Sequence, residues 1–304
     1  MKYSTLYLHV GWSKTGTSAI QSQVQAQHRE FLQKGILYPQ ALQWPDHSHH
    51  PFALAFNDVG GYQGQHTPAE ALNQLQREMS SVDADSVLVS SELSPFYFSN
   101  DLFKSFVESN FETVKVIFTV RTQSELLLSL FNQLVKDPNV RYGASMFTLA
   151  MRNLAWLNFD QNVMRWSKVV GRENLHVVPY SREVVRDFFN LFDIGVSEGE
   201  SGKIVNPSLP TRSLAILQAR ARAADNPRDF LEIRNRILSQ LSEIPEQNDR
   251  YVLFSVPEQK AFDDHFSASN KKLADEFGFD ISRLKKEVYE PVKVIPPGVR
   301  LPNE

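Results

Sequence analysis

Residues 6–20 read LYLHVGWSKTGTSAI, and the fold turns on how that stretch is parsed. Leu6–Val10 is a short apolar run, 11–18 is small and polar, and Ala19 enters a helix-like segment that continues to Gln33. Strand, small-residue turn and helix N-terminus, in that order, build an anion cradle. Backbone N–H groups and the positive end of the helix dipole converge on one point. Residue order narrows the anion. A Walker A loop runs Gly-x-x-x-x-Gly-Lys-Ser/Thr, with its lysine after the second glycine. Here Lys14 precedes Gly16, so an ordinary ATP or GTP loop fits poorly. A tight strand-to-helix turn that holds no ligand has the same outline and stays open as the plain alternative.

Outward from this stretch the pattern repeats. Short runs rich in Val, Ile and Leu at Thr5–Val10, Ser86–Ser90, Val114–Val120 and Leu175–Pro179 are nearly continuous in apolar character, as parallel strands buried on both faces are. Helical patterns separate them at Thr17–Gln33, Pro68–Ser80, Asn100–Ser109, Ser124–Val135 and Asn158–Val170. The alternation predicts a doubly wound α/β sheet with functional loops beyond the carboxyl ends of the strands. After Asn190 the character changes. A Gly/Ser/Glu-rich loop at 195–202 precedes helical segments at Thr211–Ala224, Pro227–Ile244 and Glu258–Phe277, read as a helical cap. The Pro-rich tail from Tyr289 reads as extended. The expected organisation is one domain: an α/β core at 1–195, a cap at 196–288 and a tail at 289–304.

Composition sets bounds. At 304 residues, 42% hydrophobic and 11% aromatic, the chain can bury a substantial core. A net charge of −3 gives no global basic field for nucleic acid. The absence of cysteine rules out disulfides, thiolate zinc sites and cysteine nucleophiles. The apolar run at the start is short and ends in the polar Lys14-Thr15 turn, which reads as no signal peptide. No segment approaches the roughly 18–20 apolar residues of a membrane span. A cytoplasmic protein is the expectation, and nothing in the sequence reports oligomeric state.

The lysine-first order of Lys14-Thr15-Gly16-Thr17-Ser18 after a Gly-x-x turn resembles the 5′-phosphosulfate loop of sulfotransferases, which use 3′-phosphoadenosine 5′-phosphosulfate (PAPS) as sulfuryl donor. A second motif agrees. Val114–Val120 ends in Arg121, Thr122-Gln123-Ser124-Glu125 has the form of a capping box, and Ser129 follows Arg121 by eight residues. An arginine at a strand end with a serine two turns into the next helix resembles the family's 3′-phosphate motif. The arginine brings a fork of donors and the serine one hydroxyl. A surface ion pair is the bland reading of Arg121 alone. A third signal, Ser91-Glu92-Leu93-Ser94-Pro95-Phe96-Tyr97, is similar to the glutamate followed by a Ser/Pro/Tyr stretch of the glycan-type branch, where the glutamate is the general base. Cytosolic-type members use histidine there. A carboxylate satisfied by backbone amides is the alternative for Glu92.

The resemblance, to bacterial members nearest the glycan-type branch, covers about residues 5–195. It implies a P-loop-like fold, PAPS as co-substrate with 3′-phosphoadenosine 5′-phosphate as product, and an acceptor bearing a hydroxyl or amine. It implies Lys14 and Glu92 as catalytic residues. Lys14, Thr15, Gly16, Thr17, Ser18, Arg121 and Ser129 would hold the donor. The chain departs from the family in lacking the cytosolic Arg-Lys-Gly motif and in carrying Trp12 where an aliphatic residue or proline is commoner. That leaves the contacts of Lys203, Asn206 and Ser208 with the nucleotide open.

Weaker signals complete the reading. His47, His49 and His50 cluster before Pro51 as an acceptor-facing loop or plain surface, and no acid is spaced to complete a metal site. His49, His50 and Tyr97 are therefore acceptor-binding candidates, and no metal is expected. Phe96, Tyr97 and Phe98 line the acceptor cleft or belong to the core. Arg212, Arg220 and Arg222 read as a solvated helix face. Two other readings stand: a nucleotide or nucleoside kinase with an irregular phosphate loop, and a non-catalytic binder of 3′,5′-phosphorylated adenosine. Against the kinase, the strand Val114–Val120 ends in arginine, where a Walker B carboxylate would be needed.

Overall fold

The computed structural model describes residues 2–56, 65–93, 101–197, 209, 214, 216–219, 224, 226–241, 251–252, 255–284 and 293–294. In chain order its elements are β1 (Tyr3–His9), α1 (Thr17–Ala26), α2 (His28–Gln33), β2 (Ile36–Leu37), α3 (His50–Phe56), α4 (Pro68–Met79), β3 (Ser86–Ser90), α5 (Asp101–Asn110) and β4 (Phe111–Val120). There follow α6 (Gln123–Lys136), α7 (Met146–Arg152), α8 (Leu154–Leu157), α9 (Phe159–Val170), β5 (Leu175–Pro179), α10 (Val184–Phe189), α11 (Pro227–Leu241), β6 (Tyr251–Val252), α12 (Val256–Phe277) and β7 (Lys293–Val294). The chain divides into two compact units, residues 1–121, 159–203 and 272–283 in the first and 122–158, 204–271 and 284–304 in the second.

The first unit is an α/β layer structure around a five-stranded parallel sheet of order β2-β3-β1-β4-β5. Strands expected at Ser86–Ser90 and Leu175–Pro179 have those bounds, and the other two begin a few residues earlier than expected. Every residue of β3 and the last five of β4 are buried, which explains their unbroken apolar character. Successive strand side chains point to opposite faces. On one face Tyr7, Leu88, Ile117 and Val178 meet Ile20 and Val24 of α1, Phe31 of α2, and Phe188 and Phe189 of α10. On the other, Phe118 meets Trp12, which packs edge-on against Phe159 of α9 with ring centroids 4.7 Å apart. Strand order reverses at β1. His9, the last residue of β1, lies opposite Ser90 on one side and Ile117 on the other, so the loops after β1, β3 and β4 leave the same edge of the sheet.

The single helix expected at Thr17–Gln33 is two, broken at Gln27. Gln27 is buried: its amide donates to the Gly195 carbonyl (2.9 Å) and accepts from the Ser197 amide (2.9 Å), contacts some 170 residues away in sequence. The helix start at His50 also differs from the loop read there, and β2, α7, α8 and α10 have no counterpart in the sequence reading.

In the second unit α6 corrects the expected capping box. Thr122 occupies the N-cap without a side-chain hydrogen bond. The Asp263 carboxylate of α12 does the capping, accepting from the Ser124 amide (3.2 Å) and hydroxyl (2.8 Å) and bringing negative charge to the helix N-terminus. A reciprocal amide pair, Gln123 with Asn270 at 2.8 and 2.9 Å, ties the same two helices. Helices α11 and α12 fall where Pro227–Ile244 and Glu258–Phe277 were expected. Most of Thr211–Ala224 lies outside the described residues. In the tail, β7 pairs in parallel with β6. No helix among the described residues is long and apolar enough to cross a membrane.

Candidate active site

The loop after β1 owes its shape to close packing at two glycines. Gly16 is the N-cap of α1 with φ 90° and ψ 9°, the left-handed region that glycine occupies without cost. A Cβ there would lie 2.8 Å from Val184 Cγ1 and 3.3 Å from the Tyr180 ring. At Gly11 a Cβ would lie 2.6 Å from Thr119 Oγ1 and 2.8 Å from Thr17 Cγ2, so β4 and the first turn of α1 close on the loop. Lys14 is itself left-handed, φ 70°, a conformation that costs a side-chain-bearing residue of order 1 kcal/mol and concentrates at functional sites. The Thr15 hydroxyl is spent inside, on the Trp12 carbonyl and, at 2.6 Å, on the Thr119 hydroxyl. No side chain caps α1, so the first-turn amides stay available to an outside acceptor. Trp12, 2% exposed, is core.

Lys14 is the electrostatic focus. Burial pushes its ammonium below the usual lysine range, Glu92 opposes that shift and Arg121 adds to it. Lys14, Glu92 and Arg121 thus lie within electrostatic reach of one another at the carboxyl edge of β1, β3 and β4. Arg121 Nη1 donates to the Lys14 carbonyl at 3.3 Å, and its guanidinium lies 4.5 Å from the centroid of the Tyr180 ring. Tyr180 is the residue after β5; the sequence reading missed it, although the strand-end rule points to that position. Thr17 is buried, Ser18 is exposed, and Ser129 is half-buried on α6 of the second unit.

Glu92 stands two residues beyond β3, its side chain 14% exposed. Gln21 Nε2, from one turn into α1, donates to Glu92 Oε2 at 3.4 Å and to the Ser90 hydroxyl at 3.1 Å. His50 Nε2 lies 3.9 Å from the same Oε2, and His50 Nδ1 lies 2.8 Å from the Ser91 hydroxyl. His49 is engaged on both ring nitrogens by backbone: Nδ1 accepts from the Ser90 amide and Nε2 donates to the Pro39 carbonyl. His9, beneath Gly11, bonds the Ser90 hydroxyl through Nδ1, and its buried Nε2 has no hydrogen-bond partner among the described residues. Burial pushes His9 down to about 3 and His49 down to about 4, so both are neutral imidazoles. Gln21 and His9 carried no sequence signal of their own, and Ser91 entered only as the first residue of the Glu92 stretch.

Tyr97, with Phe96 and Phe98, lies outside the described residues, as do Lys203, Asn206, Ser208, Arg212, Arg220 and Arg222. Among the described residues no three acidic or imidazole side chains group as a metal site. A cavity of about 430 Å³ opens at the opposite, amino-terminal edge of the sheet, lined by Lys104, Glu108, Phe111, Val114, Lys168 and Asn174. It holds none of the candidate residues.

No protein-family model matches the chain, and no curated protein matches it. Among solved structures, the chain is similar to a sulfotransferase domain from the curacin biosynthetic pathway, at 12% identity over 92% of this chain and 99% of that one, with a TM-score of 0.37. It is also similar to a sulfotransferase domain from the Synechococcus PCC 7002 olefin synthase, at 13% identity over 88% of this chain and 96% of that one, with a TM-score of 0.33.

Proposed function

We propose that this protein is a sulfotransferase that uses PAPS as donor and a hydroxyl or amine as acceptor, with a carbohydrate hydroxyl the favoured class because the base is a glutamate. The observation that carries the reading is the meeting of Lys14, Glu92 and Arg121 around an uncapped helix N-terminus whose turn is closed by Gly11 and Gly16.

The residues present suit such a donor, which supplies the sulfuryl group when bound. Backbone amides of 15–18 and the hydroxyls of Thr17 and Ser18 hold the 5′-phosphate; Thr15 contributes only its amide, because its hydroxyl is already bonded. Arg121 supplies a planar fork for the 3′-phosphate, stiffened by Tyr180 beneath it. Ser129 joins it on the strength of the sequence spacing alone. Lys14 sits where charge develops on the leaving 5′-phosphate oxygen. Glu92 accepts the acceptor's proton as the acceptor oxygen bonds to sulfur and the bond from sulfur to the 5′-phosphate breaks. Positioning and electrostatics do most of the work, as in phosphoryl transfer.

Lys14→Ala tests this. Removing one preorganised donor from such a site costs about 2.7–4 kcal/mol of barrier, or roughly 10²–10³ in kcat. With ³⁵S-labelled PAPS, release of labelled sulfate or transfer to an acceptor should fall by that factor. Near-full turnover by the variant would remove Lys14 from the mechanism.

A further inference from the structure

The Glu92 carboxylate is held unevenly. Gln21 donates to Oε2, and His50 Nε2 faces the same oxygen at 3.9 Å, while Oε1 has no hydrogen-bond partner among the described residues. A hydroxyl on the other side of His50 is placed to select one tautomer. The Ser91 hydroxyl oxygen accepts from the Leu93 amide at 3.3 Å, which leaves its proton free to point at His50 Nδ1, 2.8 Å away. With Nδ1 an acceptor, a neutral His50 carries its proton on Nε2, the nitrogen that faces Glu92. The imidazole is fixed in place: it is 7% exposed, opens α3, and meets Trp44 edge-on with centroids 5.0 Å apart.

We propose that His50 is the positioning residue of the base, its Nε2–H directed at Glu92 Oε2 so that Oε1 is the atom that takes the acceptor's proton. The inference rests on the sulfotransferase reading for the identity of the reaction, but the pairing is a property of the chain by itself. One proton moves: the acceptor's O–H or N–H bond breaks and an O–H bond forms at Oε1, while His50 keeps its own proton throughout. The relay from the Leu93 amide through Ser91 and His50 then serves as a one-way orienting chain, not as a proton store.

The charged and titratable groups around the pair set its pH behaviour. Burial holds His50 below the usual histidine range, against the pull of Glu92 and of Asp46 in the preceding loop. His49 is its neighbour on the chain and is neutral. Lys14 faces Glu92 from the phosphate loop, and Tyr38, whose hydroxyl burial pushes up, faces it from beyond β2. Burial thus favours the neutral imidazole at His50.

The test is nitrogen-15 NMR of the histidine rings in the full chain, for the wild type, Ser91→Ala and Glu92→Gln. The expected result for the wild type at neutral pH is the Nε2–H tautomer at His50. Glu92→Gln should lower the His50 titration midpoint, because an attractive carboxylate is gone, and Ser91→Ala should release the tautomer. An Nδ1–H tautomer in the wild type, or a His50 titration indifferent to Glu92→Gln, overturns the proposal. Turnover supplies a readout that a structural role would not move. With ³⁵S-labelled PAPS and water as acceptor, His50→Ala should lower kcat at least tenfold with KM for the donor unchanged. His50→Gln, which keeps a donor near the Nε2 position, should restore most of it, and adding His50→Ala to Glu92→Gln should lower the rate no further. Additive losses, or a rise in KM in step with the fall in kcat, also overturn it. Failure of the donor reading is distinguishable: wild-type protein would then not bind 3′-phosphoadenosine 5′-phosphate, whatever the tautomer of His50.

Discussion

Replacing Gly16 with alanine loads the loop after β1 in two ways that a second glycine keeps apart. At φ 90° an L side chain costs about 1–2 kcal/mol from contact with its own backbone. The new Cβ would also stand 2.8 Å from Val184 Cγ1, closer than packed carbons approach, and relieving that squeeze adds about 1–3 kcal/mol. The sum is a loss of about 2–5 kcal/mol in unfolding free energy. Gly278, just past α12, has φ 70° with nothing within 4 Å of its Cβ position, so Gly278→Ala should cost only the backbone part, about 1–2 kcal/mol. Urea unfolding followed by tryptophan fluorescence gives both values. The squeeze falls on Tyr180 as well, whose ring underlies the Arg121 guanidinium, so Gly16→Ala should also weaken nucleotide binding, and Gly278→Ala should not. Equal destabilisation by the two substitutions would refute the account of a loop clamped between α1, Tyr180 and Val184.

Other consequences are as direct. His9 and His49 are neutral when folded, with values lowered to about 3 and about 4 from the ordinary 6.5. Above that ordinary value neither state binds the proton; below it only the unfolded chain does, so stability falls as pH falls, by about 1.4 kcal/mol per pH unit for each imidazole. Unfolding midpoints at about pH 7.5 and about pH 5.5 should show that loss, and His9→Asn should remove close to half of it; a flat profile contradicts the burial assigned to both rings. At the start of α6, Asp263→Ala should cost about 1–2 kcal/mol as a lost cap, whereas Thr122→Val should stay within about 0.5 kcal/mol; the reverse order by thermal unfolding would restore the capping box.

The sheet was legible because its strands are buried on both faces: Ser86–Ser90 and Leu175–Pro179 can be marked off by apolar content alone. The strand–turn–helix around Lys14 was legible for a related reason: an apolar run, a glycine-bearing turn and a helix start follow one another, and a strand that ends at Arg121 reaches the same edge. What escaped the sequence depends on distant partners. Ile36–Leu37 is too short to show a period. The break at Gln27 is made by 195–197, and the cap of α6 by a carboxylate 139 residues away. His49 and His50 look like part of a polar loop until Ser90, Ser91 and Pro39 are seen to bond them. Gln21 resembles any helical glutamine, and only the register of β1 against β3 sets it beside Ser90 and Glu92.

The central claim is that the site reads a nucleotide by its 3′-phosphate. Calorimetric titration with 3′-phosphoadenosine 5′-phosphate, set against ATP and AMP, for wild type and Arg121→Ala, tests it most directly. The account predicts micromolar binding of the 3′-phosphorylated nucleotide by the wild type, far weaker binding of the other two, and loss of the preference in Arg121→Ala. Equal affinity for all three nucleotides, or a preference for ATP, would contradict it.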